Sequence, residues 1–436
     1  MSRVIKNKQA ILNKLGIEKL NTMQEEVALC ITSVSDLMVL SPTGTGKTLA
    51  FLLPIMEGLY PNLREVQAVV LAPSRELAIQ IAQVARSMGT GYKINVVYGG
   101  RPFAKDKEEL QHPPALIVGT PGRIADHLRR GTLDTAQIQT IVFDEFDKAL
   151  EVGFESEMKE IVKGLPALKK RILTSATKGI SVPKFVGLET YQILNYLGKE
   201  RSQLAMKSVF SPSKDKLETL VDLLCTIGNE PGIIFCNYKD TIQRVSDFLA
   251  IKGVSHGCFY GGMEQRERER ALIKFRNHTH QLLIATDLAA RGIDIPELKF
   301  IIHYQLPLRL EEFTHRNGRT ARMNAKGTSY ILQWEEEELP AFVSKTKGTL
   351  LKKRPIPSPS AWTTLFVSGG RKDKISKSDI AGLFFKKGGL VRDELGVIEL
   401  KNDCVFVAVP ISKAKQLMAT LNNTRLKKKK VRVTAI

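Results

Sequence analysis

Ser41-Pro42-Thr43-Gly44-Thr45-Gly46-Lys47-Thr48 follows the apolar run Leu37 to Leu40 and leads into the apolar stretch Leu49 to Met56. The order is strand, glycine loop, helix. Gly44 and Gly46 permit positive φ and let successive backbone N–H groups wrap a phosphate at a helix start. Lys47 then reaches the outer phosphates, and the Thr48 hydroxyl can hold Mg2+. A plain glycine turn between two core elements fits the same residues, and Ser41 stands where such a phosphate loop usually begins with Gly. The partners of the loop further along the chain decide between the two.

A chain of 436 residues exceeds what one hydrophobic core usually organises, roughly 250 to 300 residues, so two to three domains are expected. Apolar residues make up 43%, enough for ordinary globular cores. No run approaches the ~18 uninterrupted apolar residues of a membrane helix, and Met1 to Ala10 lacks the apolar centre of an export signal. A soluble, cytoplasmic protein without membrane contact is the expectation. Cys30, Cys225, Cys236, Cys258 and Cys404 are odd in number and far apart, which fits free thiols and offers no paired zinc ligands. The formal charge is +20, and half of the excess lies at one end: Trp362 to Ile436 holds 16 Lys and Arg against 6 Asp and Glu, a net of +10. A basic surface gathered on one module suits a polyanion. Its strand-like runs, without a long basic amphipathic helix, favour nucleic acid over an anionic membrane.

From Asp36 to about Tyr196, apolar runs alternate with helical stretches: Ala68 to Leu71, Ala115 to Val118, Ile138 to Phe143, Arg171 to Thr174. Such alternation predicts a parallel sheet covered on both faces. The pattern begins again after Leu204, with Gly232 to Phe235, Gly257 to Tyr260, Leu282 to Ala285, Phe300 to His303 and Thr328 to Leu332. Lys352-Lys353-Arg354 with Pro355, Pro357 and Pro359 is too polar and proline-broken for a core. The expected domains are therefore 1–203 and 204–344, a basic linker 345–361, and a small module 362–436. In that module strands are expected at Thr364 to Val367, Val405 to Val409 and Val431 to Thr434, and helices at Lys377 to Phe385 and Lys413 to Leu421.

The apolar run Ile138 to Phe143 ends in Asp144-Glu145-Phe146-Asp147, so carboxylates emerge at the carboxyl end of a buried strand, where open parallel sheets bind ligands. Asp144 can share a Mg2+ with Thr48, and Glu145 can polarise a water for attack on a γ-phosphate. Acids favoured at a helix N-terminus would look the same. Asp-Glu-x-Asp after this phosphate loop, followed by Ser175-Ala176-Thr177, resembles the DEAD-box ATP-dependent RNA helicases. Ala72-Pro73-Ser74-Arg75-Glu76-Leu77-Ala78, Tyr98-Gly99-Gly100 and Thr120-Pro121-Gly122-Arg123 resemble further motifs of that family, in its order.

The resemblance implies an α/β fold of two tandem RecA-like parallel-sheet domains, with ATP and Mg2+ as cofactors. It implies nucleotide binding by Gln24, Thr43, Gly44, Thr45, Gly46, Lys47, Thr48 and Asp144, with Glu145 as the base and Asp147, Ser175, Thr177 and His315 coupling the domains. It also implies that Arg75, Gly100, Thr120, Gly122 and Arg123 line a path for RNA backbone, as small residues, backbone N–H groups and arginine do. Gln24 offers the donor and acceptor that an adenine edge requires. Around it, Asn7 replaces an aromatic and Asn21-Thr22 the usual Thr-Pro, while Phe146 replaces the family's alanine.

The second repeat has no phosphate loop or acidic pair, so it is not an ATPase by itself. His315-Arg316-Asn317-Gly318-Arg319-Thr320-Ala321-Arg322 sets arginines at i and i+3, one face of a helix, which suits a solvated basic helix as well as a site. By resemblance Arg319 and Arg322 are arginine fingers for the γ-phosphate. Thr286-Asp287 and Ala290-Arg291-Gly292-Ile293-Asp294 resemble a segment that touches both ligands, Thr286 and Gly292 the RNA and Asp294 the ribose. Gln265 and Arg268 resemble another RNA-contacting pair, although Tyr260-Gly261-Gly262 stands where His-Gly-Asp is usual.

Leu365 to Gly370 and Cys404 to Val409 resemble the first and central strands of an RNA-recognition (RRM-like) α+β fold, without most of its stacking aromatics. The whole module resembles the RNA-binding domain of DbpA-type helicases, which implies structured ribosomal RNA of the large subunit (23S rRNA) and ribosomal precursor particles as partners. Lys427 to Lys430 fit either phosphate contacts or a solvated turn. The expectation is a monomeric RNA-stimulated ATPase that separates RNA strands locally in large-subunit assembly. An ATP-dependent RNA clamp or scaffold, and a DNA translocase, are the alternatives.

Overall fold

A computed structural model describes residues 7–179, 181–188, 190–198, 204–287, 298–320, 326–343, 346, 348–352 and 354–436. The chain divides into two compact units, one mainly before and one mainly after Gln203. The first is built on a seven-stranded parallel sheet of β1 (Asp36–Leu40), β2 (Ala68–Leu71), β3 (Ile94–Val97), β4 (Leu116–Gly119), β5 (Thr140–Phe143), β6 (Lys170–Ser175) and β7 (Gln192–Asn195), in the order β3-β4-β2-β5-β6-β1-β7. Because side chains alternate across a strand, each apolar run feeds two cores at once. Leu37, Val39, Ala68 and Val70 pack under one helical layer; Met38, Leu40, Val69 and Leu71 pack under the other. Burial of one such side chain contributes about 1.5–3 kcal/mol, which explains why β2, β3 and β4 are apolar nearly throughout and fully buried.

That strand order sorts the carboxyl edge of the sheet. The octet loop, Asp144 and Ser175 follow β1, β5 and β6 on one side. Arg75, Gly99-Gly100 and Thr120 follow β2, β3 and β4 on the other.

The second unit contains a six-stranded parallel sheet of β8 (Leu204–Ser211), β9 (Gly232–Phe235), β10 (Gly257–Phe259), β11 (Leu282–Ala285), β12 (Phe300–His303) and β13 (Gly327–Trp334), ordered β10-β11-β9-β12-β13-β8. Taken strand by strand, this is the order of the first sheet without its outermost strand. The same unit carries an antiparallel sheet of β14 (Trp362–Ser368), β15 (Ile398–Leu400) and β16 (Cys404–Pro410), a small hairpin of β17 (Arg425–Leu426) and β18 (Lys429–Lys430), and β19 (Val433–Ala435). The antiparallel sheet has the order β15-β16-β14-β19. Helices Lys377–Lys386 and Ile411–Leu421 cover one face, where Leu365, Val367, Val405 and Val407 meet Phe384 and Leu417.

The opposite face rests on the second parallel-sheet domain. Asn277 Nδ2 donates to Thr364 Oγ1 (3.2 Å), the Thr279 and Thr364 hydroxyls are 2.7 Å apart, and Arg276 grips Glu399 with Nε and Nη2 (2.6 and 3.1 Å). The basic segment before it also lies on that domain, through Thr349 N to Ser208 O (2.7 Å) and Lys352 N to Thr226 Oγ1 (2.9 Å). The last strand begins two residues later than the spacing predicts, because Val431 N–H bonds to Thr424 O across the hairpin (2.9 Å). No helix among the described residues is long and apolar enough to cross a membrane.

Candidate nucleotide and RNA sites

Gly44 (φ 87°) and Gly46 (φ 88°) adopt the left-handed backbone that the octet requires, and Gly46 caps the helix Lys47–Gly58. The loop is braced from within: Ser41 and Thr45 hydroxyls are 2.7 Å apart, Thr45 Oγ1 donates to Pro42 O (3.0 Å), and Lys47 Nζ donates to the carbonyls of Ser41 (2.5 Å) and Pro42 (2.8 Å). Gln24 braces it from outside. Its Oε1 accepts from Asn21 N (3.0 Å) in a capping box of helix Thr22–Ser33, and its Nε2 donates to Gly46 O (3.3 Å). A side chain at Gly46 would collide with that amide at 2.4 Å. The adenine-reading residue expected from the sequence is thus also a support of the phosphate loop.

Asp144 is fully desolvated at the end of β5, and that burial raises its carboxyl pKa above the ordinary carboxylate value; the Thr174 hydroxyl bonded to its Oδ1 and the charge of Lys47 oppose the shift. Glu145 is 7% exposed and left-handed at φ 48°, ψ 52°, a strained position for a non-glycine residue. Its N–H is held by Thr174 Oγ1 (3.1 Å), so one threonine pins both acids. Asp147 Oδ2 accepts from Thr177 Oγ1 (2.9 Å), and Thr177 N–H donates to Ser175 Oγ (3.0 Å). Three of the expected coupling residues therefore form one chain of hydrogen bonds from β6 to the helix Phe146–Glu151.

On the other half of the edge, Arg75 lies over Gly100 (φ 85°), where an added Cβ would stand 2.5 Å from its guanidinium. Thr120 precedes the helix Pro121–Arg129, and Arg123 in its first turn is held on three sides: Nε to Asp106 Oδ2 (3.0 Å), Nη1 to Asp126 (3.6 Å) and Nη2 to Arg101 O. Asp106 is completely buried and also pairs with Arg101 (3.0 Å), so one carboxylate ties the Gly100 loop to the start of that helix. Nothing in the sequence singles out Asp106; an acid three residues past an aromatic carries no signal until the fold sets it beneath two arginines.

In the second unit, Gln265 and Arg268 open the helix Gln265–Arg276, with the Arg268 guanidinium over Phe259 (4.9 Å), and Thr286 N–H donates to Phe259 O (3.4 Å). His315 is buried in the helix Leu310–Asn317, and Arg319 just beyond it is 4% exposed. Gly292, Asp294 and Arg322 lie outside the described residues. The hub of this region is Arg316, to which the sequence motifs assign no role: it donates twice to Asp287 (2.6 Å each), to Gln305 O (2.6 Å) and to Asn237 Oδ1 (2.7 Å), stacked over Phe235. Its spacing from Arg319 was the available clue. In the terminal module two of the four lysines are partnered, Lys427 with Asp379 and Lys429 with Asp373 (3.0 Å each), so they hold the hairpin down.

Comparison with known proteins agrees across the chain. Residues 21–185 match the DEAD/DEAH box helicase family, residues 215–324 the helicase conserved C-terminal domain, and residues 364–435 the DbpA RNA binding domain. The ATP-dependent RNA helicase DbpA of Escherichia coli (strain K12) is 32% identical over 436 residues, spanning 97% of this chain and 95% of that protein. Its namesake from Bacillus subtilis (strain 168) is 30% identical over 460 residues, spanning 97% and 96%. Among solved structures, S. cerevisiae Dbp5 bound to RNA and ADP BeF3 superposes with a TM-score of 0.68 at 27% identity, covering 76% of this chain and 88% of that one. With the phosphate loop, the acidic strand end and the terminal α+β module all in place, the chain belongs to the DEAD-box ATP-dependent RNA helicases of the DbpA type.

Proposed function

We propose that ATP is bound by the octet loop and Asp144, that Glu145 is the base for its hydrolysis, and that Arg319, with Arg322, supplies positive charge to the γ-phosphate. The observation that carries this is the desolvated Asp144–Glu145 pair, pinned by Thr174 and sharing its field with Lys47. Hard oxygen donors fit Mg2+: Thr48 and Asp144 would hold it beside the phosphates, where it neutralises developing charge. Glu145 polarises the attacking water, and burial keeps bulk water from competing. Asp147, Ser175 and Thr177 relay the state of this half of the edge. RNA backbone is taken by Arg75, Gly100, Thr120, Gly122, Arg123, Gln265, Arg268, Thr286 and Gly292, with Asp294 on the ribose of ATP and His315 in the coupling path.

The biological reading follows from the terminal module: a monomeric cytoplasmic enzyme that separates short RNA duplexes on structured ribosomal RNA during assembly of the large subunit. Its basic composition and its likeness to the DbpA RNA binding domain support this. One experiment tests both levels. Phosphate release and duplex displacement are followed with large-subunit ribosomal RNA, with generic RNA and with DNA, for the full chain and for a chain ending at Pro359. Displacement with ribosomal RNA as the best stimulator, and loss of that preference on truncation, is the expected result. ATP binding and RNA holding without displacement would identify a clamp, and equal stimulation by DNA would remove the RNA reading.

A further inference from the structure

Strand register carries one parallel-sheet domain onto the other. Phe143 and His303 occupy corresponding rungs, as do Leu173 and Ile331, and Met38 and Ser208. Counting on from these, Ser211 falls on Ser41, Lys216 on Gly46, Tyr304 on Asp144 and Trp334 on Ala176. The backbone agrees: Gly46 (φ 88°) and Lys216 (φ 60°) are both left-handed residues capping the helix that follows the first strand.

At this position, where the first domain has its phosphate loop, the second keeps an open cleft. A cavity of about 590 Å3 lies among Lys214, Lys216, Arg244, Tyr304, Trp334 and Glu337, large enough for one mononucleotide. Its chemistry excludes a triphosphate with its metal. The loop has no glycine, and the strand end carries Tyr304-Gln305 in place of the acids. Two of the three cations are already matched: Lys216 Nζ donates to Glu337 (3.0 Å) and Leu332 O (3.1 Å), and Arg244 pairs with Asp215 (2.8 Å). With Asp240 as a third carboxylate at the mouth, the lining is nearly neutral and suits a ligand of low charge.

Two groups are left to receive it. The indole of Trp334 presents an aromatic face, and Lys214 Nζ lies 5.9 Å from the centre of that ring, with no carboxylate paired to it among the described residues. An aromatic face beside one cation is the minimal receptor for a base and a phosphate. We propose that this cleft binds a single nucleotide, the base stacked on Trp334 and one phosphate drawing Lys214 off the ring. The shared chemistry has two sources, a free nucleoside monophosphate or one nucleotide of an RNA strand. Either would press on the Tyr304–Gln305 wall, whose Gln305 carbonyl Arg316 holds at 2.6 Å. The inference stands on the second domain alone and does not need the assignment of the ATP site.

The chain has two tryptophans, Trp334 and Trp362, so Trp362→Phe leaves the cleft as the sole indole emitter. In a chain that also carries Lys47→Ala, to remove the first nucleotide site, AMP and UMP are titrated against this emission, alongside a 5′-phosphorylated RNA hexamer. Saturable quenching is expected, weakened roughly tenfold by adding Lys214→Ala, in line with loss of one charge-assisted contact. Dialysis of radiolabelled AMP and of the labelled hexamer against Trp334→Leu, compared with the same chain retaining Trp334, reads binding without fluorescence and should show the corresponding loss. A hexamer that binds at least about tenfold tighter than either monophosphate, with the same Lys214 dependence, makes RNA the source, and equal affinities make it the free nucleotide. Absence of saturable quenching by all three, or affinities indifferent to both Lys214→Ala and Trp334→Leu, overturns the proposal, including the case in which the cleft serves a protein partner.

Discussion

The two parallel-sheet domains share a strand order and differ in what their carboxyl edges carry. In the first, the edge holds a glycine loop and two buried acids; in the second, the corresponding positions hold Lys216, Tyr304 and Gln305, and a buried arginine, Arg316, organises the neighbouring loops. One scaffold therefore carries a glycine loop with buried acids in one copy and paired, nearly charge-neutral side chains in the other. The difference lies in loops of equal length, not in the sheet, as expected when function is carried by strand ends on a common frame.

The sharpest way to break this contrast is to remove one lysine from each edge. Lys47→Ala and Glu145→Gln should each lower RNA-stimulated phosphate release by at least about a hundredfold, with Glu145→Gln still holding ATP and RNA. Lys216→Ala should leave turnover within about twofold and cost about 1–2 kcal/mol in stability, read by denaturant unfolding, since Glu337 is one-third exposed and can rehydrate. Equal losses of turnover would mean that both edges do chemistry.

Next in size is Arg316→Lys. It keeps the charge but loses the paired bonds to Asp287 at a site 1% exposed, and about 3 kcal/mol of stability should go with them, together with RNA stimulation. Unchanged melting would remove Arg316 as the hub.

His303 gives the contrast a pH dependence. Burial first, and the Arg316 charge second, push its imidazole down to about 3. The neutral ring is the folded form, and protons bind more readily to the unfolded chain. Its contribution is therefore complete above the ordinary value near 6.5 and is lost as pH falls from there toward 3. Between pH 6.5 and 5 this amounts to about 2 kcal/mol, and His303→Phe, which places there the residue type of the matching rung in the first sheet, should flatten it. A wild-type stability curve without that acid limb would contradict the assignment.

Smaller effects sharpen the two halves of the first edge. Asp106→Asn keeps the shape but removes the charge between Arg101 and Arg123, so the RNA concentration for half-stimulation should rise roughly tenfold with ATP affinity unchanged. An equal loss on the ATP side would make Asp106 a fold residue only. Smallest is Thr364→Val, which deletes the hydroxyl facing Asn277 and Thr279; about 1 kcal/mol of docking should be lost, seen as faster hydrogen exchange in β14.

Much of the fold is legible in the sequence. Buried parallel strands read as apolar runs, so β2, β4, β5, β6, β9, β11 and β12 stand out, and the candidate site residues lie at their ends. Strands with polar residues among the apolar ones do not stand out: β3 contains Asn95, β7 begins at Gln192 and ends at Asn195, and β8 is interrupted by Lys207 and Ser208. Among candidate site residues, motif spacing singles out the octet, the acids and the arginine run. It could not find Asp106, Arg316's partners or the Gln24 brace, because those depend on segments far apart in the chain meeting at one edge. Nor does a lysine run disclose which of its members the fold has spent on carboxylates, as Lys427 and Lys429 are.

The backbone at Glu145 has an evolutionary corollary. A left-handed conformation with a side chain is what a fold would ordinarily give to glycine, so Glu145→Gly should make the protein sturdier while silencing it. Selection for heat resistance alone would then drift toward glycine at this one residue.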